Sequence, residues 1–361
     1  MWIKDRSTPV IQWKALKMLM DSDAPLKVPL KDFWKQIPWF WKFLHTSKGK
    51  RFIASTNALS YLCHSSINDT KELLEYYNMS AMLEQNGCAF VYDTEQSFNK
   101  SLKSWTDRAS RGFISEVLNA DKISQIVPTI NDNFKFAYLS HEWGKVSEPI
   151  DIVQGLANAV KVDGVIFHPN RVSSVSEKLN SVVIDFDKGS SKYDAVIIAA
   201  GIHSISFAES LGDKLPMTAE RGYNITIPSS NIDIDIPIVF ADRGIVATNL
   251  TSGLRIGGWA EYSNANRPAN QHYFKSIARI SRELFPGLNT DNANFWMGSR
   301  PSMPDSVPVI SKSLKMNRIF YNCGHGHYGL THAATSAKLL CKLLEDNDLD
   351  KAKAFSIDRF S

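Results

Sequence analysis

The sequence predicts an α+β chain, α/β in one part and antiparallel β in another, arranged as two interleaved units. Three patterns predict it. Helix-then-apolar-strand segments run over 149–213, alternating strands separated by glycine turns follow from 214 to 262, and a glycine-rich turn leading into an apolar helix closes the chain. At 361 residues the chain exceeds what one small core needs. The expected division places 1–148 with 214–295 in one unit and 149–213 with 296–361 in the other.

Composition narrows the class. A 43% hydrophobic and 22% charged chain is that of a globular protein, which excludes a disordered or fibrous one. Its 41 basic and 37 acidic side chains leave a net charge of +4, too even for a nucleic-acid binder. Cys63, Cys88, Cys323 and Cys341 include no CxxC pair, which reads as reduced thiols and not as a disulfide framework. No apolar run approaches the about 20 residues of a membrane-spanning helix, and the charged start MWIKDRSTPVIQWK lacks a signal-peptide pattern. A cytoplasmic protein is expected, at most peripheral on the inner face of the membrane.

From Trp13 to about Tyr77 the pattern is helical. Within it, KDFWKQIPWFWKFL sets Phe33, Trp34, Trp39, Phe40, Trp41 and Phe43 among Lys31, Lys35 and Lys42, with Pro38 starting or breaking a helix. Two readings stand: rings packed between the units, or a basic amphipathic helix lying on a membrane surface. Between Met82 and Tyr138, GCAFVY reads as a strand followed by helices. Pro149 suits a first helical turn, with Ile150, Val153, Leu156, Ala157 and Val160 at helical spacing up to Gly164. Val165–Phe167 reads as a buried strand, Val172–Val175 and Val182–Phe186 as two more, and Tyr193–Gly201 as a strand covered on both faces. RGYNITIP, IPIVFAD, GIVATNL and GLRIGGWAEY form an antiparallel meander. A helix is expected from about Asn270 to Leu284, ended by Pro286-Gly287. The last helix is expected to bury Ala333, Ala337, Leu340, Cys341 and Leu344.

Three segments carry chemistry. DAVIIAAGIHS ends a strand in Ala199, Ala200 and Gly201, small residues that allow close approach of a flat or charged ligand. FWMGSRPSMPDSVPVI holds Arg300 between prolines on a stiff path that is neither helix nor central strand. That arginine either clamps a carboxylate two-pronged or is satisfied by loop carbonyls or an internal acid. NCGHGHYGLTHAATSAKLL places Gly324, His325, Gly326, His327, Tyr328 and Gly329 before a helix starting near Leu330 or Thr331, whose free N–H groups suit an anion or electron-rich ring. His325, His327 and His332 invite a zinc reading, but no carboxylate or cysteine set completes it, and no metal is expected.

In order and spacing, ERGYNITIP, LRIGGWAE, FWMGSRPSMPDSVPVIS and YNCGHGHYGLTHAATSAKLL make the chain resemble the FAD-dependent D-amino-acid oxidase superfamily, most of all its D-amino-acid dehydrogenase branch. The resemblance runs from about Pro9 onward. It implies a glutathione-reductase-like FAD-binding domain at 149–213 and 296–361, an interleaved substrate domain, and FAD as cofactor. It further implies that Val172 contacts the adenine side, that Ala199–Gly201 pass the pyrophosphate, and that Gly324–Thr331 lie against the flavin ring. Arg300 would hold the substrate carboxylate with Tyr223 as a second contact. The implied reaction is oxidative deamination of a D-amino acid, with a quinone or similar electron acceptor. Glycine, sarcosine, hydroxyproline or opine oxidation and a non-catalytic paralogue are the alternatives. Family members open with a strand, a GxGxxG turn and a helix; no such unit opens this chain, so its FAD-binding domain is expected to be N-terminally incomplete. Ser306, Ser311 and His327-Tyr328 also depart from the family pattern.

Overall fold

A computed structural model describes residues 26–130, 133–345 and 352–360; the expected helical start at Trp13 lies outside them. In chain order the helices are α1 (Leu30–Thr46), α2 (Gly49–Tyr76), α3 (Glu95–Ser110), α4 (Ala120–Ile126), α5 (Pro149–Val162), α6 (Ser204–Ser210), α7 (Gln271–Leu284) and α8 (Gly329–Leu344). The strands are β1 (Leu26–Lys27), β2 (Leu83–Glu84), β3 (Cys88–Tyr92), β4 (Ser115–Leu118), β5 (Phe136–Ser140), β6 (Lys145–Val146), β7 (Val172–Glu177), β8 (Val182–Phe186), β9 (Gly189–Tyr193), β10 (Val196–Ile198), β11 (Thr218–Ile227), β12 (Ile238–Phe240), β13 (Ile245–Leu250), β14 (Gly253–Tyr262), β15 (Asn294–Ser302), β16 (Val309–Lys312) and β17 (Ile319–Cys323).

The meander supplies the middle of a nine-stranded sheet ordered β15-β11-β14-β13-β12-β3-β5-β4, with β1 added along β14. One face is dry: Tyr223, Ile225 and Ile227 of β11 join Ile256 and Trp259 of β14 in a core that α7 covers. Helix α7 is specified locally. The Asn270 side chain caps it by accepting from His272 N at 3.0 Å, and Tyr273, Phe274, Ile277, Ser281 and Leu284 form its buried face. Burying Phe274, Ile277 and Leu284 contributes about 2 kcal/mol each.

A smaller sheet, β10-β17-β16, has β10 and β17 parallel, and a third sheet pairs β7, β8 and β9 antiparallel. Val172 of β7 packs on the core shared by Ile198, Met303, Val309 and Cys323. Helix α2 packs along α8, and its Ala58, Leu59 and Leu62 meet Ile310, Phe320, Leu339 and Leu340.

Several expectations are corrected. Gly164, at φ 89°, turns the chain out of α5, and Val165–Phe167 then runs exposed and outside any strand. An apolar run of three residues cannot by itself specify a strand without a neighbour to pair with. The Tyr193–Gly201 strand shrinks to β10, which lies at a sheet edge with Ile197 exposed. The division of units also shifts. Residues 296–302 belong to β15 in the large sheet, and α2 packs with α8 and not with that sheet. The proline-flanked Arg300 segment is neither helix nor central strand, as expected, but it is regular enough to pair. It is an edge strand, the one place in a sheet where Pro301 costs no ladder hydrogen bond.

Candidate functional site

Strand alternation sorts β11 and β15 into two faces. Glu220, Gly222 and Asn224 share one face, and Arg221, Tyr223 and Ile225 the other. In register, Glu220 stands opposite Arg300, Gly222 opposite Gly298, and Asn224 opposite Trp296. The two facing glycines make a shallow trough. A Cβ on Gly222 would lie 2.3 Å from Arg300 Cζ, and one on Gly298 would lie 2.1 Å from the Trp296 indole. Guanidinium and indole therefore lie flat on the sheet because no side chain stands beneath them.

Glu220 anchors this face. Its carboxylate accepts from Arg300 Nη1 at 3.3 Å, Ser302 Oγ at 2.7 Å and Tyr262 OH at 3.2 Å, and it contacts His327 Nε2. The residue is 3% exposed. Burial alone would raise its pKa, but the charges and hydrogen bonds of His327, Arg300 and Ser302 outweigh burial and hold it at about 2. The internal-acid reading of Arg300 thus holds for one prong. The side chain stays 28% exposed, which leaves donors for a ligand.

Opposite this face stands the glycine turn. Gly324 and Gly326 have φ of 79° and 54°, which glycine adopts without strain, and the 3-10 turn Gly326–Tyr328 leads straight into α8. No side chain caps α8 and no acid lies in its first turn, so its leading N–H groups remain available. Gly201, at φ 55°, and Gly329 have open space where a Cβ would project, and Ala199 and Ala200 are exposed at the end of β10. The turn Gly201–His203 lies against β15. These segments leave the carboxyl ends of the parallel strands β10 and β17, where α/β sheets bind ligands. The small, open, donor-rich backbone fits a flat ring carrying negative charge.

The structure brings Arg300, Ala199–Gly201 and Gly324–Thr331 to one neighbourhood, while Val172 packs on the core beneath β10 and β17. Tyr223 is a correction. It points to the other face of β11, 1% exposed, where its hydroxyl donates to Glu261 at 2.5 Å beside the buried Arg221–Glu261 pair. Burial and that carboxylate push its pKa up. The three histidines diverge to separate partners: His325 to Ser336 at 2.9 Å, His332 to Cys63 at 3.5 Å, and His327 to Glu220. Burial lowers the His325 and His332 pKa values to about 4. Sequence reasoning missed Glu220, Gly222 and Trp296, although period-two counting along ERG and WMGSR groups them. It also missed that Gly324, Gly326 and Gly329 themselves have GxGxxG spacing between β17 and α8.

The family described as FAD dependent oxidoreductase matches residues 36–343. A D-amino-acid oxidase from Bradyrhizobium diazoefficiens is 28% identical, over 99% of this chain and 88% of that protein. Among solved structures, L-proline dehydrogenase from P. horikoshii is similar with a TM-score of 0.73 at 17% identity, covering 83% of this chain and 82% of that one. Glycine oxidase from Bacillus cereus is similar with a TM-score of 0.71 at 17% identity, covering 80% and 82%.

Proposed function

This chain belongs to the FAD-dependent oxidoreductase family that its residues 36–343 match, and from that premise we propose that it oxidatively deaminates D-amino acids. As a family member it is an FAD-dependent amine or amino-acid oxidoreductase; the D configuration is the finer reading, supported by the likeness to a D-amino-acid oxidase. Bound FAD supplies the hydride acceptor.

The observation that carries the reading is Arg300 laid over Gly222, facing the glycine turn, with Nη1 on Glu220 and the side chain still 28% exposed. Its guanidinium would hold the substrate carboxylate and so fix where Cα stands. The exposed Trp296 indole, four residues along the same face, would flank the substrate side chain. The N–H groups of α8 and the backbone of Gly324–Gly329 would lie against the flavin ring and favour negative charge there. Ala199–Gly201 and Val172 would serve the pyrophosphate and adenosine ends. The smaller sheets with α8 are therefore assigned to FAD and the nine-stranded sheet to substrate.

Arg300→Lys tests this, because a point charge cannot reproduce the two-pronged bond. KM for D-amino acids is expected to rise about tenfold to a hundredfold, with kcat less affected. An unchanged KM removes Arg300 from the substrate.

One further partner is supported by a specific observation. Trp34, Ile37 and Trp41 line the outward face of α1 among Lys31, Lys35 and Lys42, which suits an anionic lipid surface and a quinone as the electron acceptor.

A further inference from the structure

Oxidation at Cα needs a neutral amine, whereas an amino acid in water near pH 7 carries an ammonium group. A proton must therefore leave the substrate nitrogen first. Arg300 cannot take it, being protonated already. His327 stands in the turn Gly326–Tyr328, with its side chain 42% exposed and Nε2 against Glu220. A carboxylate at Nε2 selects the tautomer with hydrogen there, leaving Nδ1 as the acceptor on the other side of the ring. Among the described residues Nδ1 has no hydrogen-bond partner.

We propose that His327, oriented by Glu220, accepts the ammonium proton of the bound amino acid; this rests on the amino-acid reading above. One N–H bond of the ammonium breaks, its electron pair stays on the substrate nitrogen, and the proton bonds to Nδ1. The positive charge passes from substrate to imidazole, where the Glu220 carboxylate faces it. Arg300, on the same carboxylate from β15, opposes that charge and favours release of the proton from the exposed ring to water. Tyr262 of β14 also donates to Glu220, and Tyr328 follows within the turn itself. His325 and His332 are turned to Ser336 and Cys63 and do not compete. Glu220 is thus a positioning residue for both Arg300 and His327.

The test has two arms. With FAD-loaded enzyme and a D-amino acid, His327→Gln is expected to lower kcat/KM at pH 7 by about a hundredfold. The deficit should then shrink about tenfold per pH unit as water supplies neutral amine. Added imidazole should restore part of the rate. In the second arm, nitrogen NMR of histidine-labelled protein, assigned with H327Q, reads His327 directly. The Nε2–H tautomer is expected in the wild type, and the preference for it should weaken in Glu220→Gln. A pH profile of H327Q parallel to wild type, or a His327 tautomer preference unmoved by E220Q, overturns the proposal. Wild-type protein that oxidises no amino acid at any pH sinks the previous reading instead, and the NMR arm still decides whether the dyad exists.

Discussion

A methyl group at position 222 would meet the Arg300 guanidinium, the end of a flexible side chain, and not backbone. The cheapest relief is to move the guanidinium, so Gly222→Ala should cost binding and spare the fold. KM for the amino acid is expected to rise about tenfold, a displacement worth roughly 1–2 kcal/mol, while the urea midpoint of unfolding stays within error of wild type. A fallen midpoint with KM unchanged would show that the sheet, not Arg300, absorbs the methyl. Arg300 was legible in the sequence because prolines around an arginine announce a fixed cation. Its setting was not, because Pro301 argued only against a central strand and did not announce an edge one, and without the strand no alternation could pair 300 with 298 and 296. Tyr223 went astray for the opposite reason. The alternation Tyr223, Ile225, Ile227 was read correctly, yet a tyrosine in phase with two isoleucines belongs to the dry face, as its bond to Glu261 confirms.

Helix α8 shows what an element hides. Its buried stripe is His332, Ala334, Thr335, Ser336, Leu339 and Leu340; of the expected face Leu340 is buried, while Ala333, Ala337, Cys341 and Leu344 stand exposed. The polar members go inside because each has a partner: Thr335 on Asp69 at 2.5 Å, Ser336 on His325, and His332 on Cys63. Helix α7 and the meander β11–β14 were legible, since apolar period and, in α7, the Asn270 cap agree there. Helix α5 was legible as a helix from Pro149 but not in its faces, since Ile150 and Val153 stand exposed and Ile152 is inside. The buried face of α8 was not legible, since its partners come from α2 and the turn. The two buried histidines give this element a pH signature. Their folded pKa values, about 4, lie below the ordinary 6.5, so the unfolded chain binds more protons in between. Their contribution to stability is complete above pH 6.5 and is lost as pH falls towards about 4. From pH 7 to pH 5 each is expected to remove on the order of 2 kcal/mol, measured by urea unfolding. His332→Leu should roughly halve that pH dependence. A stability flat over this range would mean both imidazoles reach water.

At the scale of the whole molecule, α1 decides how the site meets its surroundings. Its inner side is pinned to the end of the Arg300 strand and its neighbours: Trp39 Nε1 donates to Ser302 O at 3.1 Å, Thr46 Oγ1 to Pro304 O just beyond the strand at 2.9 Å, and Gln36 accepts from Thr218 of β11 at 2.6 Å. The interior reading of its aromatics holds for Trp39, which packs inward, while Trp34 and Trp41 stand 77% and 73% exposed, as the surface reading requires of them. Two exposed indoles on one helix are costly in water unless something covers them, and Lys31, Lys35, Lys42 and Lys48 surround them with positive charge. The acid of this stretch, Asp32, is already paired with Arg267 at 3.1 Å. No helix among the described residues is long and apolar enough to cross a membrane, so contact would be at the surface. Each lysine near an anionic bilayer contributes about 1 kcal/mol and the indoles seat at headgroup depth. The protein should therefore sediment with phosphatidylserine vesicles at low salt, remain free with phosphatidylcholine, and release as salt screens the attraction. Trp34→Ser with Trp41→Ser should abolish binding while leaving amino-acid oxidation with a soluble dye unchanged, since neither indole reaches the Glu220–Arg300 face. Sedimentation that is absent at low salt, or that survives both substitutions, would show that this stripe is not what meets the membrane.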